Sequence, residues 1–217
     1  MNRGGPHKFD PTILREYDIR GIIDDTLLAE DAYAIGRAFG SRVVREGGET
    51  VCVGYDGRLS SPDMELAVVD GLKDCGLEAV RVGLGPTPML YFAVNVLDAA
   101  GGIMVSGSHN PPDYNGFKIM RGPKPFYGDD IQGLGAIAAT ADYVSGVGTD
   151  RAELMLDRYV GRVLQDYKGG RRLKVGGDQD EELNELQRRF NALEDEARQQ
   201  APSSAITPRS TMRTNRE

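Results

Sequence analysis

The chain has 217 residues, 40% of them hydrophobic and 27% charged, which at about 150 residues per domain is one domain and something extra. That mix is typical of soluble globular proteins and excludes a wholly disordered chain, and no stretch approaches the roughly 18 apolar residues of a membrane-spanning helix. The net charge is −7, and residues 169–217 hold 9 basic and 9 acidic residues, so all of the excess lies in residues 1–168. A part that acidic is a poor general nucleic-acid binder; an anionic ligand would need a local cluster of positive groups. Cys52 and Cys75 make neither a disulfide framework nor a zinc spacing. Residues 1–6 lead into polar sequence rather than a signal core, so the cytoplasm is the expected compartment.

In chain order, residues 31–46 place Ala34, Ile35, Ala38, Phe39 and Val43 at helical spacing, with Gly47-Gly48 as the stop. Residues 50–54 read as a short buried strand. Ser61 as N-cap and Pro62 in the first turn open a helix that runs to about Cys75-Gly76. Residues 78–82 form the next strand, and Gly85-Pro86-Thr87-Pro88 opens a third helix over residues 89–97. Residues 101–105 are an apolar strand, residues 106–113 a polar loop, and residues 115–120 a strand returning close by. Helical patterns resume at residues 129–139 and 151–167. Strands alternating with helices predict an α/β fold with a mostly parallel sheet.

The end of the chain changes character. Residues 172–175 begin like a strand that Gly176-Gly177 ends at once, and residues 178–200 read as a solvated helix. Asp178 and Glu181 stand at capping-box spacing, Glu185–Arg189 and Glu194–Arg198 are i,i+4 pairs, and Leu183, Leu186, Phe190 and Leu193 form one apolar stripe. Residues 201–217, rich in Ser, Thr, Pro and Arg, read as a disordered tail.

Only two histidines occur. His7, in a polar leader, is read as solvated. His109 lies in Val105-Ser106-Gly107-Ser108-His109-Asn110-Pro111-Pro112-Asp113-Tyr114-Asn115-Gly116, a hydroxyl-rich loop leaving the C-terminal end of a buried strand, where open α/β sheets place their ligands. Glycines there let backbone N–H groups approach an anion, and the proline pair stiffens the loop. A Ser–His hydrolase fails as a reading: there is no Gly-x-Ser-x-Gly elbow, adjacent residues seldom point their side chains at each other, and no distant histidine remains to act as base. No Gly-x-x-x-x-Gly-Lys-Ser/Thr loop occurs either. A serine among His109, Asn110, Lys118 and backbone amides remains, which reads as a phosphate site, although composition alone favours an ordinary polar turn.

Those residues, followed by Asn115-Gly116-Phe117-Lys118-Ile119, resemble the phosphoserine loop of the α-D-phosphohexomutases, in particular their bacterial phosphomannomutase/phosphoglucomutase branch. Phe9-Asp10-Pro11 with Arg15-Glu16-Tyr17-Asp18-Ile19-Arg20-Gly21, Gly54-Tyr55-Asp56-Gly57-Arg58-Leu59-Ser60-Ser61-Pro62, and Gly83 to Thr87-Pro88-Met89 match further motifs in family order. The likeness covers roughly residues 9–175.

The resemblance implies a three-layer domain with a mostly parallel mixed sheet between helices over residues 9–168, and an aborted start of a second domain at residues 169–177. It implies a reversible phosphoryl shift between the 1- and 6-positions of mannose or glucose phosphate. Ser108 would carry the phosphoryl group, with hexose 1,6-bisphosphate as intermediate and activator and Mg²⁺ bound through the Ser108 phosphate or hydroxyl. Arg20 matches a basic residue facing the transferring phosphate, for which a guanidinium fork is suited. Lys118 matches a lysine that stabilises charge or assists proton transfer. His109 and Tyr17 match residues lining the same centre, and Asn110 stands with them as a phosphate contact. Arg58, Ser60 and Ser61 are read as a turn and helix cap.

Full-length family members look roughly twice this size, with an Asp-Gly-Asp-Gly-Asp-Arg-type metal loop, a Gly-Glu-x-Ser-Gly-type sugar loop and a phosphate clamp; the sequence has none of these. The carboxylates of Gly176-Gly177-Asp178-Gln179-Asp180-Glu181-Glu182 do not follow the metal pattern and suit helix capping. The expectation is therefore a truncated or rearranged mutase, weak or inactive alone, whose partners are a hexose phosphate and either a chain supplying the missing domains or another copy docked through the helix at residues 178–200. No nucleic acid or membrane partner is expected. The competing expectation is a non-catalytic remnant that acts as an interaction module through the Leu183–Leu193 stripe, although that stripe is short for a coiled coil.

Overall fold

The computed structural model describes residues 4–166 and the single residue Ala192. Its elements, in chain order, are β1 (Ile19–Ile22), α1 (Ala29–Arg45), β2 (Thr50–Tyr55), α2 (Ser61–Lys73), β3 (Glu78–Leu84), α3 (Thr87–Val96), β4 (Gly101–Val105), β5 (Tyr114–Arg121), β6 (Lys124–Pro125), α4 (Asp129–Thr140), β7 (Thr149–Ala152) and α5 (Leu156–Asp166). The strands form one sheet in the order β1-β5-β4-β2-β3-β7, with β6 beside β5. β2 runs parallel to β3 and β4, and β3 parallel to β7, whereas β5 is antiparallel to β4 and to β1. The mixed sheet and its helices make the α/β fold expected from the sequence.

Alternation along the strands explains the layers. Val51, Val53, Ile103, Val105, Phe117 and Ile119 pack on one face with Ile35 and Phe39 of α1, Val68 and Leu72 of α2, and Leu134 of α4. Cys52, Val80, Val82, Met104 and Met120 pack on the other with Met89, Leu90 and Val94 of α3 and with Leu156 and Tyr159. The fully apolar β4, buried at all five positions, runs through the middle of this three-layer stack. The chain divides between Tyr159 and Val160 into two compact units, and everything described below belongs to the first.

Three local readings change. Arg151 was expected in a helix but stands in β7, whose four residues are all exposed; that strand pairs with β3 at the sheet edge through its backbone and through Arg151 Nε, which donates to Glu78 Oε1 at 3.0 Å, and it carries no apolar alternation to signal it. Ser61 does not cap α2, which starts after Ser60; its hydroxyl instead donates to Asp56 Oδ1 at 2.6 Å. His7 is not simply solvated. Its Nε2 lies 2.6 Å from Asp31 Oδ1, and its ring meets Phe9 edge-on at 4.9 Å. The other oxygen of Asp31 accepts the Leu28 N–H at 2.7 Å, closing the first turn of α1. The expected aborted domain start at residues 169–177, helix over residues 178–200 and tail at residues 201–217 lie outside the described residues, Ala192 apart. Among the described residues no helix is long and apolar enough to cross a membrane.

Candidate active site

The cationic part of the site is built on neighbouring strands. Arg20 of β1 pairs with Gly116 of β5, and its side chain lies over that glycine: a Cβ on Gly116 would meet Arg20 Cδ at 2.8 Å and collide with the Ile19 carbonyl. The guanidinium is only 2% exposed. Its Nε donates to Asp18 Oδ2 at 3.0 Å, its Nη1 donates to the Ser106 carbonyl, and its Nη2 has no partner among the described residues. A buried donor left unpaired is costly, so it marks a place where an acceptor is wanted.

Lys118, two residues beyond Gly116, donates from Nζ to the same Asp18 Oδ2 at 3.2 Å. One carboxylate therefore gathers the two cations that the sequence singled out. Asp18 was not among the expected site residues, yet it stands between Tyr17 and Arg20 in the quoted motif. Its i,i+2 spacing from Arg20 puts both side chains on one side of an extended chain.

The serine loop leaves β4 after Val105. Ser108 is exposed and its backbone is left-handed, with φ of 53°, a conformation that costs a non-glycine residue of order 1–3 kcal/mol unless its surroundings hold it. Ser106 Oγ accepts the Ser108 N–H at 3.0 Å. Ser108 Oγ and His109 Nδ1 are 3.2 Å apart, so the expectation that these neighbours would point apart is corrected; the left-handed turn brings their side chains to one side. Asn110 closes the loop, its N–H and its Nδ2 both donating to the Gly107 carbonyl at 3.1 and 3.0 Å.

The glycines of this loop serve differently from the expectation that they free N–H groups for an anion. The Gly107 N–H donates to Asp56 Oδ2 at 2.8 Å, and the Gly116 N–H to Asn115 Oδ1 at 2.8 Å. Neither position has room for a side chain: a Cβ on Gly107 would overlap the Arg58 guanidinium, and one on Gly116 would meet the Ile19 carbonyl first and Arg20 Cδ next. Arg58 is thus more than part of a turn. Tyr17, 72% exposed, forms the outer rim with its ring 6.3 Å from that of Tyr127. The Glu16 carbonyl accepts the Gly128 N–H at 2.7 Å and ties the two segments together.

Among the described residues no group of three or more His, Cys, Asp or Glu side chains could hold a metal ion. Mg²⁺ demands near-octahedral oxygen ligation, and a single serine oxygen does not supply it, so the described residues do not by themselves fit the implied ion. The carboxylates at residues 178–182 lie outside the described residues.

The family model for the phosphoglucomutase/phosphomannomutase alpha/beta/alpha domain I matches residues 11–145. A phosphomannomutase/phosphoglucomutase of Pseudomonas aeruginosa is 46% identical over 164 residues, covering 76% of this chain and 35% of that protein. A phosphoglucomutase of Neisseria gonorrhoeae is 44% identical over 133 residues, covering 61% of this chain and 29% of the relative. Among solved structures, a phosphoglucomutase/phosphomannomutase family protein from Burkholderia thailandensis superposes with a TM-score of 0.77 at 40% identity, covering 86% of this chain and 43% of its own. The chain belongs to the phosphoglucomutase/phosphomannomutase family. It spans about a third of the length of the curated relatives it matches, 35% of the first of them.

Proposed function

We propose that this chain is the phosphoserine-bearing part of a phosphohexomutase, shifting a phosphoryl group between the 1- and 6-positions of mannose or glucose phosphate. The observation that carries the reading is Arg20: a buried guanidinium bonded to the base of the serine loop, with Nη2 lacking an acceptor among the described residues. A phosphoryl oxygen is the acceptor that such a nitrogen suits, through a charge-assisted bond.

In loading, Ser108 Oγ attacks a phosphorus of hexose 1,6-bisphosphate. The new Oγ–P bond replaces the sugar O–P bond, and the serine proton ends on the departing sugar oxygen. His109 Nδ1, at hydrogen-bond reach of Oγ, is placed to relay that proton. In the productive direction the same exchange runs backwards onto a sugar hydroxyl. Arg20 and Lys118 offset the charge of the transferring group, since phosphoryl transfer depends chiefly on positioning and electrostatics. Tyr17 lines the approach, and Asn110 keeps the loop closed on the phosphate. Mg²⁺ would add charge neutralisation once a full oxygen ligand set is present.

Alone, the chain is a slow enzyme in this reading, because orienting the sugar phosphate can be worth about 7–11 kcal/mol and the sugar-reading and phosphate-clamping motifs are not in its sequence. The interaction-module alternative rests on residues outside the described part, and no observation favours it.

The test is to incubate the full chain with glucose or mannose 1,6-bisphosphate, follow its intact mass, and map the gained phosphoryl group, with Ser108→Ala alongside. Label on Ser108 that is absent from the variant is expected. A folded wild type that gains no label, or gains it equally in Ser108→Ala, overturns the reading. A coupled assay on glucose 1-phosphate and mannose 1-phosphate reports turnover.

A further inference from the structure

Arg58, in the turn between β2 and α2, reaches across to the serine loop some fifty residues away. Its Nη1 donates to the carbonyls of Pro111 at 2.6 Å and Tyr114 at 2.9 Å. Its Nη2 donates to those of Asn110 at 2.7 Å and Ser108 at 3.2 Å. Nε faces Asp56 Oδ2 at 3.7 Å. A guanidinium has five N–H donors; here the four on Nη1 and Nη2 are taken by backbone carbonyls, three in the serine loop and one at Tyr114 where β5 begins, and Nε faces the Asp56 carboxylate from beyond hydrogen-bond reach.

Asp56 completes the arrangement from the other side. Its Oδ1 accepts the Arg58 N–H at 3.2 Å and the Ser61 hydroxyl at 2.6 Å, while Oδ2 accepts the Gly107 N–H at 2.8 Å. Its own N–H donates to the Val105 carbonyl at 2.9 Å, at the end of β4. The pair takes one donor from the loop and fills four acceptors in it and at its end.

We infer that Arg58 is the positioning residue of the nucleophile, holding the loop so that Ser108 keeps its left-handed backbone and presents Oγ outward for phosphoryl transfer. This rests on the functional reading above. Arg58 acts through the loop backbone rather than on phosphate: its four terminal N–H donors are taken by carbonyls, and its Nε is turned to the Asp56 carboxylate. Arg20 is the opposite case, with one nitrogen unpaired among the described residues. Lysine cannot replace Arg58, since a single ammonium nitrogen cannot span carbonyls on both sides of a planar fork.

The test uses the full chain as wild type, Arg58→Lys and Arg58→Ala, with hydrogen exchange and phosphoryl loading measured on each. In both variants, amides of residues 106–116 are expected to exchange about tenfold faster or more, while those of α1 and β2 are unchanged, the pattern of local rather than global opening. The maximal rate of Ser108 labelling by glucose 1,6-bisphosphate falls by about tenfold or more while the half-saturating concentration moves less than about twofold, as when geometry rather than ground-state binding is lost. Wild-type exchange in the loop of either folded variant overturns the proposal. So does a labelling defect confined to the half-saturating concentration, which would make Arg58 a phosphate ligand. A wild type that takes no label refutes the functional reading instead, and the exchange comparison then decides the clamp by itself.

Discussion

Replacing Asp18 with alanine removes the carboxylate that Arg20 Nε meets at 3.0 Å and Lys118 Nζ at 3.2 Å. Breaking a buried ion pair from one side costs about 3–5 kcal/mol, because the other charge is left buried and uncompensated. Two features of the site put the loss at the low end. The Asp18 side chain is 20% exposed, so water can partly replace it, and Arg20 keeps the Ser106 carbonyl. Lys118, 32% exposed, turns to solvent and adds little. The expected loss is about 3 kcal/mol, a large share of a total stability of about 5–15 kcal/mol.

With an m-value of about 2 kcal/mol/M in urea, that loss lowers the unfolding midpoint by about 1.5 M. The protein has no tryptophan, so far-UV circular dichroism and tyrosine fluorescence are the probes, and their coincidence tests two-state behaviour. Asp18→Asn keeps an acceptor but not the charge and falls between wild type and Asp18→Ala. A midpoint for Asp18→Ala within about 0.3 M of wild type, with unchanged m, would refute the reasoning. It would mean that Arg20 is solvated or re-paired without Asp18.

Three further outcomes follow from the packing. Glu65 is buried, and burial pushes its carboxyl above the ordinary value although two hydrogen bonds from Arg81, at 2.8 and 2.9 Å, pull it back. A raised acid binds more protons folded than unfolded, so its contribution to stability is present at low pH and is lost as pH rises through the raised value. Wild type should gain on Glu65→Gln as pH falls through that window, measured as the difference in urea midpoints; a pH-independent difference contradicts the burial argument. Cys52 is buried with its thiol pushed up to about 12, so at pH 8 it should resist iodoacetamide in the native chain and react on unfolding in urea. Gly116→Ala places a methyl group against the Ile19 carbonyl and Arg20 Cδ, forcing β1 from β5. It should lower the thermal midpoint by more than Gly122→Ala, whose Cβ would meet nothing within 4 Å but whose φ is +50°.

The parts of the fold that bury apolar residues were legible in the sequence. β4 is apolar throughout, and α1 carries its core residues at helical spacing, so both were placed within a few positions of where they stand. β7 was not, since Thr149–Ala152 are exposed and join the sheet by backbone hydrogen bonds and one ion pair, from Arg151 to Glu78, with no apolar residue buried. At the site, residue types pointed to Ser108 and Lys118 and the family resemblance to Arg20, but neither pointed to Asp18 or to the reach of Arg58. Contacts between an arginine and backbone carbonyls fifty residues away depend on how β2 and β4 pair, and no local pattern carries that. The same cause hid the purpose of Gly107, which Arg58 crosses, and of Gly116, on which the Ile19 carbonyl and Arg20 close.

Charge bookkeeping around these arginines explains how a chain of net −7 could hold a phosphate at all. Arg58 and Asp56 pair one to one and are locally neutral, as suits groups whose task is geometry. Arg20 and Lys118 share the single carboxylate of Asp18, which leaves one positive charge in excess where β1 and β5 meet the serine loop. An anion arriving there meets a positive charge already desolvated on the Arg20 side, where interactions are stronger than in water. Neutralising that excess with Asp18 alone is impossible, and a second carboxylate nearby would abolish it. The arrangement is therefore one anion short of neutrality, and in the function proposed above a phosphoryl group on Ser108 would bring the negative charge that it lacks.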